Sequence, residues 1–214
     1  MPDQQKSYLP AAGHDWALPL YDPVVRIMGI GRVWDALINQ ASIAPGQRVL
    51  DIGCGTGGLV VRLKQLHPDV TVVGLDPDAK ALARAQRKSE AAGAGIQLDQ
   101  AFSDRMPYPG GSFDRVLSSF MFHHLSKEAK IRTLSEVRRV LGPGGSLHLV
   151  DFAGRPGAHG FLMRIFHAGD VMADNAADRV ITRMREAGFA TSARVKRQAL
   201  FLRLFRVNYY RAAV

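Results

Sequence analysis

A glycine-rich turn between two carboxylates is the part of this sequence with the clearest potential for chemistry. Residues 49–59 read VLDIGCGTGGL, so a short apolar run that carries Asp51 leads directly into closely spaced glycines. Such glycines let the backbone approach a ligand closely, often at the start of a helix. Asp76 follows in VVGLDPD, at about the 20-residue spacing at which an acidic residue binds ribose hydroxyl groups. The pattern predicts a site for a ligand that contains a nucleoside.

The glycine spacing alone does not choose the ligand. Gly53, Gly55 and Gly58 match the G-x-G-x-x-G turn of dinucleotide-binding proteins, whereas Gly53, Gly55 and Gly57 match a G-x-G-x-G turn. Asp51 helps to separate these alternatives, because its carboxylate should face the ligand and would repel a pyrophosphate. S-adenosylmethionine (SAM) carries an ammonium and a sulfonium and no phosphate, so charge favours SAM. A nicotinamide oxidoreductase remains an alternative on the glycine spacing.

Alternating strand and helix patterns surround this turn and must position its side chains. Strand patterns between residues 48 and 151 alternate with helical ones, which predicts right-handed crossovers and a parallel sheet covered on both faces. Two final strands, near 190–197 and 201–209, should pair antiparallel. We therefore expect an α/β fold with a Rossmann-like, doubly wound sheet of seven strands, mostly parallel with one antiparallel strand near the C-terminus. Ligands of such sheets lie at the carboxyl ends of the strands.

The length of 214 residues is typical of one globular domain. Asp22-Pro23 indicates a helix start, and apolar residues follow at helical spacing up to Ala41. We interpret residues 1–44 as an N-terminal lid and helix, and residues 45–214 as the ligand-binding domain. The sequence contains neither an apolar run of membrane-spanning length nor a signal-peptide pattern, and its single cysteine, Cys54, permits no intrachain disulfide. These features predict a cytoplasmic protein.

The formal net charge of +9 raises the question of an anionic partner. From Ala187 onward all charged side chains are basic, and they are interleaved with apolar residues at strand-like spacing. A solvated strand face is our main interpretation, peripheral association with an anionic membrane is the second, and nucleic-acid binding is disfavoured. The basic residues are Arg194, Lys196, Arg197, Arg203, Arg206 and Arg211.

Four successive motifs resemble those of class I SAM-dependent methyltransferases. They are VLDIGCGTGGL, VVGLDPD, MPYPGGSFDRVLSSFMFHHL and EVRRVLGPGGSLHLVDF, in the order and spacing of that family. The nearest pattern is that of the small-molecule methyltransferases of ubiquinone and menaquinone biosynthesis. The resemblance is strong over residues 45–155 and continues weakly over MREAGFA and VNYYRA. It implies a SAM-dependent methyltransferase that releases S-adenosylhomocysteine.

The resemblance also implies which residues bind the cofactor. The glycine turn should contact the methionyl part of SAM, Asp76 should bind the ribose, and Pro77 should pack against the adenine. Ser119 and Phe120 should line the cofactor opposite the turn, and Tyr21 should close over it as part of a lid. The positions assigned to the methionyl part are Asp51, Gly53, Cys54 and Gly55.

The adenine end departs from the family pattern. The family commonly has Gly-Asp-Ala after the third strand, where the Asp reaches the adenine amino group. Ala101, Phe102 and Ser103 stand at these positions here, so that carboxylate is absent. We expect adenine to be held by backbone amides, by stacking on Phe102, or by Asp104.

Methyl transfer is an in-line displacement that needs a base only when the acceptor arrives protonated. His123 and His124 follow the fourth strand and are weak candidates for this role, with His167 weaker still. We predict no metal site. Three acidic side chains spaced four apart lie near the start of the helix predicted near residues 173–187, and the helix macrodipole explains them. Those side chains are Asp170, Asp174 and Asp178.

The acceptor is expected to be a small molecule. The segment from Ala153 to Asp174 contains GFLMRIFHAGDVM, whose large apolar side chains favour an apolar, aromatic or lipid-like acceptor, although a helix packed on the core explains them equally well. A nucleic-acid methyltransferase is one alternative, favoured by the basic charge and disfavoured by SSFM at residues 118–121 in place of an Asn- or Asp-Pro-Pro-aromatic run. A SAM-binding protein without catalytic activity is the other.

Overall fold

The computed structural model describes residues 27–153, 179–200 and 205–214. This part of the chain contains seven strands and five α-helices. The strands are β1 (Arg48–Ile52), β2 (Thr71–Asp76), β3 (Gln97–Gln100), β4 (Phe113–Ser119), β5 (Leu141–Phe152), β6 (Thr191–Leu200) and β7 (Phe205–Ala213). The α-helices are α1 (Ile30–Ala41), α2 (Gly58–Leu66), α3 (Ala79–Ala91), α4 (Lys127–Val140) and α5 (Arg179–Glu186), and Phe122–His124 forms a short 3-10 helix.

The strands form one sheet in the order β3-β2-β1-β4-β5-β7-β6. Strands β1 to β5 are paired in parallel, and β7 runs antiparallel to both of its neighbours, β5 and β6. The predicted α/β sheet with one reversed strand is therefore confirmed. The strand order reverses between β1 and β4, so a crevice is expected at their carboxyl ends.

Helices cover both faces of the sheet. Val33 and Leu37 of α1 are fully buried in one apolar cluster, which also takes in side chains of α2 and α3. Leu134 and Val137 of α4 are buried in the cluster on the other face, together with Met184 of α5. No helix in the described part of the chain has both the length and the apolarity needed to cross a membrane.

Two helix boundaries agree with the chemistry expected of the sequence. Helix α4 begins after Ser126, whose hydroxyl accepts a hydrogen bond from the backbone N–H of Ala129. Gly188 follows α5 with φ 84°, and its N–H donates to the carbonyl of Arg185 at 2.9 Å. A glycine in the left-handed conformation is a usual helix ending because it lacks a Cβ.

Two other boundaries differ from the expectation. Helix α1 begins at Ile30, after Gly29 with φ 72°, while Asp22-Pro23 lies outside the described residues. Strand β6 extends to Leu200, beyond the predicted end near residue 197, and the predicted start of β7 at residue 201 lies outside the described residues. The apolar spacing predicts one continuous helix through Gly29, because the flanking apolar residues keep the helical period. Glycine readily adopts the left-handed conformation seen there, and the helix therefore begins after it.

Candidate active site

A cavity of about 690 Å³ opens at the carboxyl ends of β1, β2 and β4, where the strand order reverses. All of the predicted cofactor-binding residues within the described part of the chain line it. They are Asp51, Gly53, Cys54, Gly55, Asp76, Pro77, Phe102, Ser103 and Ser119. The predicted lid residue, Tyr21, lies outside the described residues.

The glycine turn after β1 is held close to the sheet. The backbone N–H groups of Gly53 and Cys54 both donate to the carbonyl of Leu75, at 2.7 and 3.1 Å. Gly53 has φ 73°, and a Cβ on it would overlap the side chain of Met121. Both the backbone conformation and the adjoining side chain therefore require glycine at this position.

Asp51 is a buried carboxylate at the floor of the cavity. It is 2% exposed, and its Oδ1 has no hydrogen-bond partner among the described residues. Burial, together with the nearby charge of Asp76, raises the pKa of Asp51 well above its usual value. A buried acceptor without a partner is unfavourable, so this site suits a cationic ligand and opposes a phosphate.

Asp76 organises the turn from the end of β2. Its Oδ2 accepts from the N–H of Gly55 at 2.8 Å, and its Oδ1 accepts from the N–H of Asp78 at 2.9 Å. Desolvation raises the pKa of Asp76, although these two hydrogen bonds act to lower it. The N-cap of α3 is Asp78 and not Asp76. Because a carboxylate has about four acceptor sites, Asp76 can still accept a hydrogen bond from a hydroxyl group of a ligand in the cavity.

The opposite end of the cavity is formed by residues 101–104 together with α4. The Ser103 and Thr133 hydroxyls lie 2.9 Å apart, and Arg132 Nε donates to Asp104 Oδ2 at 3.0 Å. Phe102 is 39% exposed beside them. Arg132 and Thr133 also line the cavity, and the sequence analysis had not identified either.

Trp34 of α1 is a further lining residue. Its Nε1–H donates to the hydroxyl of Ser119 at 2.9 Å. A Cβ on Gly58 would overlap its ring, so the glycine makes room for the indole. The hydrogen bond joins residues 85 positions apart, and no local pattern in the sequence signals it.

The sequence matches known proteins along most of its described length. Residues 49–145 match the family model described as "Methyltransferase domain". The demethylmenaquinone methyltransferase of Thermus thermophilus is 35% identical over 156 residues, which are 69% of this chain and 68% of that protein. The chain belongs to the class I SAM-dependent methyltransferases.

Two further comparisons show the breadth of this likeness. The 27-O-demethylrifamycin SV methyltransferase of Amycolatopsis mediterranei is 32% identical over 73% of this chain and 59% of that enzyme. The phosphoethanolamine N-methyltransferase 2 of Haemonchus contortus, solved with SAM, superposes with a TM-score of 0.77 at 16% identity, covering 100% of this chain and 61% of that one. The structural likeness supports the fold alone.

SAM is the cofactor of this methyltransferase family, and the cavity fits it. Asp51 lines the cavity, and its Oδ1 has no hydrogen-bond partner among the described residues, so an ammonium in the cavity would pair with this carboxylate. The methionine end of SAM carries such a group, whereas the pyrophosphate of a nicotinamide dinucleotide would meet a buried carboxylate. The alternative of an oxidoreductase is thereby disfavoured by charge as well as by family.

The two histidines after β4 occupy different environments in this methyltransferase. His123 is 6% exposed and is not among the cavity-lining residues, whereas His124 lines the cavity. Their ring centroids lie 4.0 Å apart. Desolvation, with His123 nearby, lowers the pKa of His124 to about 4. His124 is therefore neutral at pH 7 and can accept a hydrogen bond from a ligand in the cavity.

His123 is fixed by Asp151 at the end of β5. Its Nδ1 lies 2.6 Å from Asp151 Oδ1, and its backbone N–H donates to Oδ2 at 2.8 Å. Burial opposes ionisation of Asp151, but His123 and three hydrogen bonds outweigh burial, so the pKa of Asp151 lies below its usual value. The carboxylate oxygen can only accept, so Nδ1 of His123 is the donor in this contact. His123 is thus a candidate positioning residue for His124.

The remaining residues considered for chemistry lie outside the described parts of the chain. These are His167, Asp170, Asp174 and Asp178.

Proposed function

We propose that this methyltransferase transfers the SAM methyl group to an apolar small molecule of the quinone-precursor type. The observation that carries the proposal is the composition of the cavity wall beyond β4. Phe120, Met121 and Leu125 form that wall, with His124 as a neutral polar group among them. The name of the Thermus relative, which acts on demethylmenaquinone, agrees with such an acceptor.

An aromatic cluster extends the apolar wall toward β7. The rings of Phe120 and Phe152 have centroids 4.9 Å apart, and those of Phe152 and Phe205 lie 6.1 Å apart. Phe120 holds a positive φ of 55° at the end of β4, a conformation that is rare for a bulky residue and typical of functional sites. Phe120 is the member of this cluster that lines the cavity, and its ring offers a surface to a flat aromatic acceptor.

Bound SAM supplies an activated methyl group, so the protein has to align the acceptor and exclude water. In our proposal Asp51 binds the ammonium, Asp76 the ribose, and the backbone of the glycine turn the methionyl part. His124 accepts a hydrogen bond from the acceptor hydroxyl and orients the nucleophilic atom toward the methyl group. A histidine with a pKa of about 4 is a weak base, which favours an acceptor that loses its proton readily.

A panel of purified acceptors tests the proposal. Methyl-labelled SAM is incubated with the protein and, separately, with a reduced unmethylated naphthoquinone, a polar amine and transfer RNA. We expect labelled product only with the quinone. At a limiting SAM concentration, the Asp51→Asn variant should transfer roughly 10- to 150-fold less label, and it serves as the control for contaminating activity. Label in the amine or in RNA, with none in the quinone, would contradict the proposed acceptor class.

One end of the β6–β7 hairpin carries basic residues that favour binding to an anionic membrane surface. Arg197 and Arg206 are exposed there, and the backbone carbonyl of Arg206 accepts a hydrogen bond from the N–H of Ala153 at 2.8 Å, at the same sheet edge as the cavity. We infer that this surface approaches the anionic, cytoplasmic leaflet of a membrane, where an apolar acceptor would reside. Each nearby cation contributes about 1 kcal/mol to such binding. Edge-strand cations also prevent strand-to-strand association, and the two roles are compatible.

Vesicle sedimentation tests the membrane surface. Vesicles of phosphatidylcholine with phosphatidylglycerol should retain the protein at low salt, and vesicles of phosphatidylcholine alone should not. The double variant Arg197→Gln, Arg206→Gln should bind roughly 10-fold or more weakly. A charge-matched double variant of α3, Lys80→Gln, Arg87→Gln, should bind as the wild type does. Equal losses in both variants, or tighter binding to RNA than to the anionic vesicles, would overturn this inference.

A further inference from the structure

The indole of Trp34 contacts two sides of the cavity at once. Trp34 lines the cavity from α1, together with Gly58, the first residue of α2, and Ser119, the last residue of β4. Its Nε1–H donates to the Ser119 hydroxyl at 2.9 Å. A Cβ built on Gly58 would lie 2.3 Å from Cη2, on the six-membered ring of the same indole. One side chain thus joins the helix that follows the glycine turn to the end of β4.

Helix α1 holds this side chain in a fixed position. The carbonyl of Ala41, the last residue of the helix, accepts a hydrogen bond from Arg115 Nε on β4 at 2.8 Å. Gln40 Nε2 donates to the carbonyl of Tyr210 on β7 at 3.0 Å. Since these contacts fasten the end of α1 to the sheet, the position of Trp34 at the cavity is set by the sheet as well.

Ser119 immediately precedes the residues that form the proposed acceptor wall. Phe120 follows it with φ 55° and is the first member of that wall. The Phe120 N–H donates to the carbonyl of Val150 at 3.0 Å, so β5 holds the backbone at this point. The contact with Trp34 holds the same point from α1. A shift of Ser119 would therefore move the ring of Phe120 relative to the glycine turn.

We propose that Trp34 is a positioning residue for methyl transfer, which fixes the spacing between the glycine turn and the acceptor wall through its hydrogen bond to Ser119. The inference rests on the proposed function, because the wall that begins at Phe120 belongs to the proposed acceptor site. An in-line transfer needs the reacting atoms about 3–3.5 Å apart and aligned, and a misplacement of about 1 Å lowers the rate roughly 100-fold. Loss of the contact should therefore affect the rate of transfer more than the binding of the cofactor.

Variants at the two ends of the hydrogen bond test the proposal. Trp34→Phe removes the donor, and Ser119→Ala removes the acceptor. With the reduced unmethylated naphthoquinone at saturating SAM, we expect each variant to lower kcat about 10-fold or more, while the dissociation constant of S-adenosylhomocysteine stays within about threefold of the wild type. Ser119→Thr keeps a hydroxyl group and should recover most of the rate.

A double variant separates one shared contact from two independent effects. Trp34→Phe combined with Ser119→Ala should be about as slow as the slower single variant, because both changes break the same hydrogen bond. Gln65→Ala is the control, at an exposed position of α2 that does not line the cavity, and it should leave kcat unchanged.

Four results would overturn the proposal. They are single variants as fast as the wild type, losses that multiply in the double variant, a loss of S-adenosylhomocysteine binding as large as the loss of kcat, and a Ser119→Thr variant as slow as Ser119→Ala. A wild type that does not methylate the naphthoquinone would contradict the proposed acceptor and, with it, this inference.

Discussion

Asp51→Asn should change cofactor affinity and protein stability in opposite directions. The substitution keeps the shape of the side chain and removes its charge. Asp51 is 2% exposed and its Oδ1 has no hydrogen-bond partner among the described residues. In the ligand-free fold Oδ1 therefore makes no stabilising hydrogen bond, and a cationic ligand can pair with the carboxylate.

The loss of affinity follows from the nature of the contact. A hydrogen bond between two charged groups contributes about 1.5–3 kcal/mol, which corresponds to roughly 10- to 150-fold in the dissociation constant. We expect SAM to bind Asp51→Asn more weakly by a factor in this range. The wild-type affinity should also fall as the pH decreases through the raised pKa of Asp51, because the protonated carboxyl no longer attracts the ammonium.

The ligand-free stability should move the other way. In the unfolded chain an aspartate ionises near pH 3.9, whereas burial raises the pKa of Asp51 in the fold. Between these two pKa values the folded state binds more protons, so stability falls as the pH rises. Asn carries no such penalty. The ligand-free variant should melt above the wild type at pH 7, and the difference should shrink toward pH 4.

Calorimetry and thermal melts measure both effects on the same samples. Asp69→Asn is the matched control, because it makes the same charge change at an exposed position distant from the cavity. It should alter neither SAM affinity nor the pH dependence of melting. The reasoning is refuted if Asp51→Asn binds SAM within twofold of the wild type, or if its melting temperature falls at every pH.

Two other substitutions test the turn and the cavity histidine. Gly53→Ala should lower SAM affinity about 10-fold or more because its Cβ overlaps Met121. The control is Gly46→Ala, since Gly46 has a similar φ of 79° with open space around it, and this variant should cost only about 1–2 kcal/mol of stability. Equal SAM binding by both variants would argue against a close approach of the Gly53 backbone to the cofactor. His124→Ala should lower kcat about 10-fold or more with the SAM dissociation constant unchanged, and since the pKa of His124 is about 4, the wild-type rate should show no inflection from it between pH 5 and 8. An unchanged kcat would remove His124 from the reaction.

The sheet could be predicted because its signals are local. Residues 48–52 form β1 as expected, since a continuous apolar run followed by glycines is typical of a buried parallel strand. Ser126 and Gly188 stand at helix ends through chemistry confined to one turn. The placement of Asp51 and Asp76 at adjacent strand ends then followed from strand order alone.

The parts that were missed depend on contacts between distant segments. Trp34 meets Ser119 across 85 positions, and Arg132 meets Asp104 across 28, so neither pair leaves a periodic signal. Adjacent His123 and His124 looked equivalent in the sequence. The 3-10 turn separates them, because one ring reaches Asp151 on β5 while the other lines the cavity.

Transfer of label from SAM into a whole-cell extract is the most direct test of the account. The purified protein is incubated with methyl-labelled SAM and the extract, and the products are partitioned between organic solvent and water. Label in the organic phase, strongly reduced when Asp51→Asn replaces the wild type at limiting SAM, is the result expected for an apolar acceptor. Label confined to the aqueous phase would contradict the proposed acceptor, and no label above the variant's background would contradict the proposed methyl transfer.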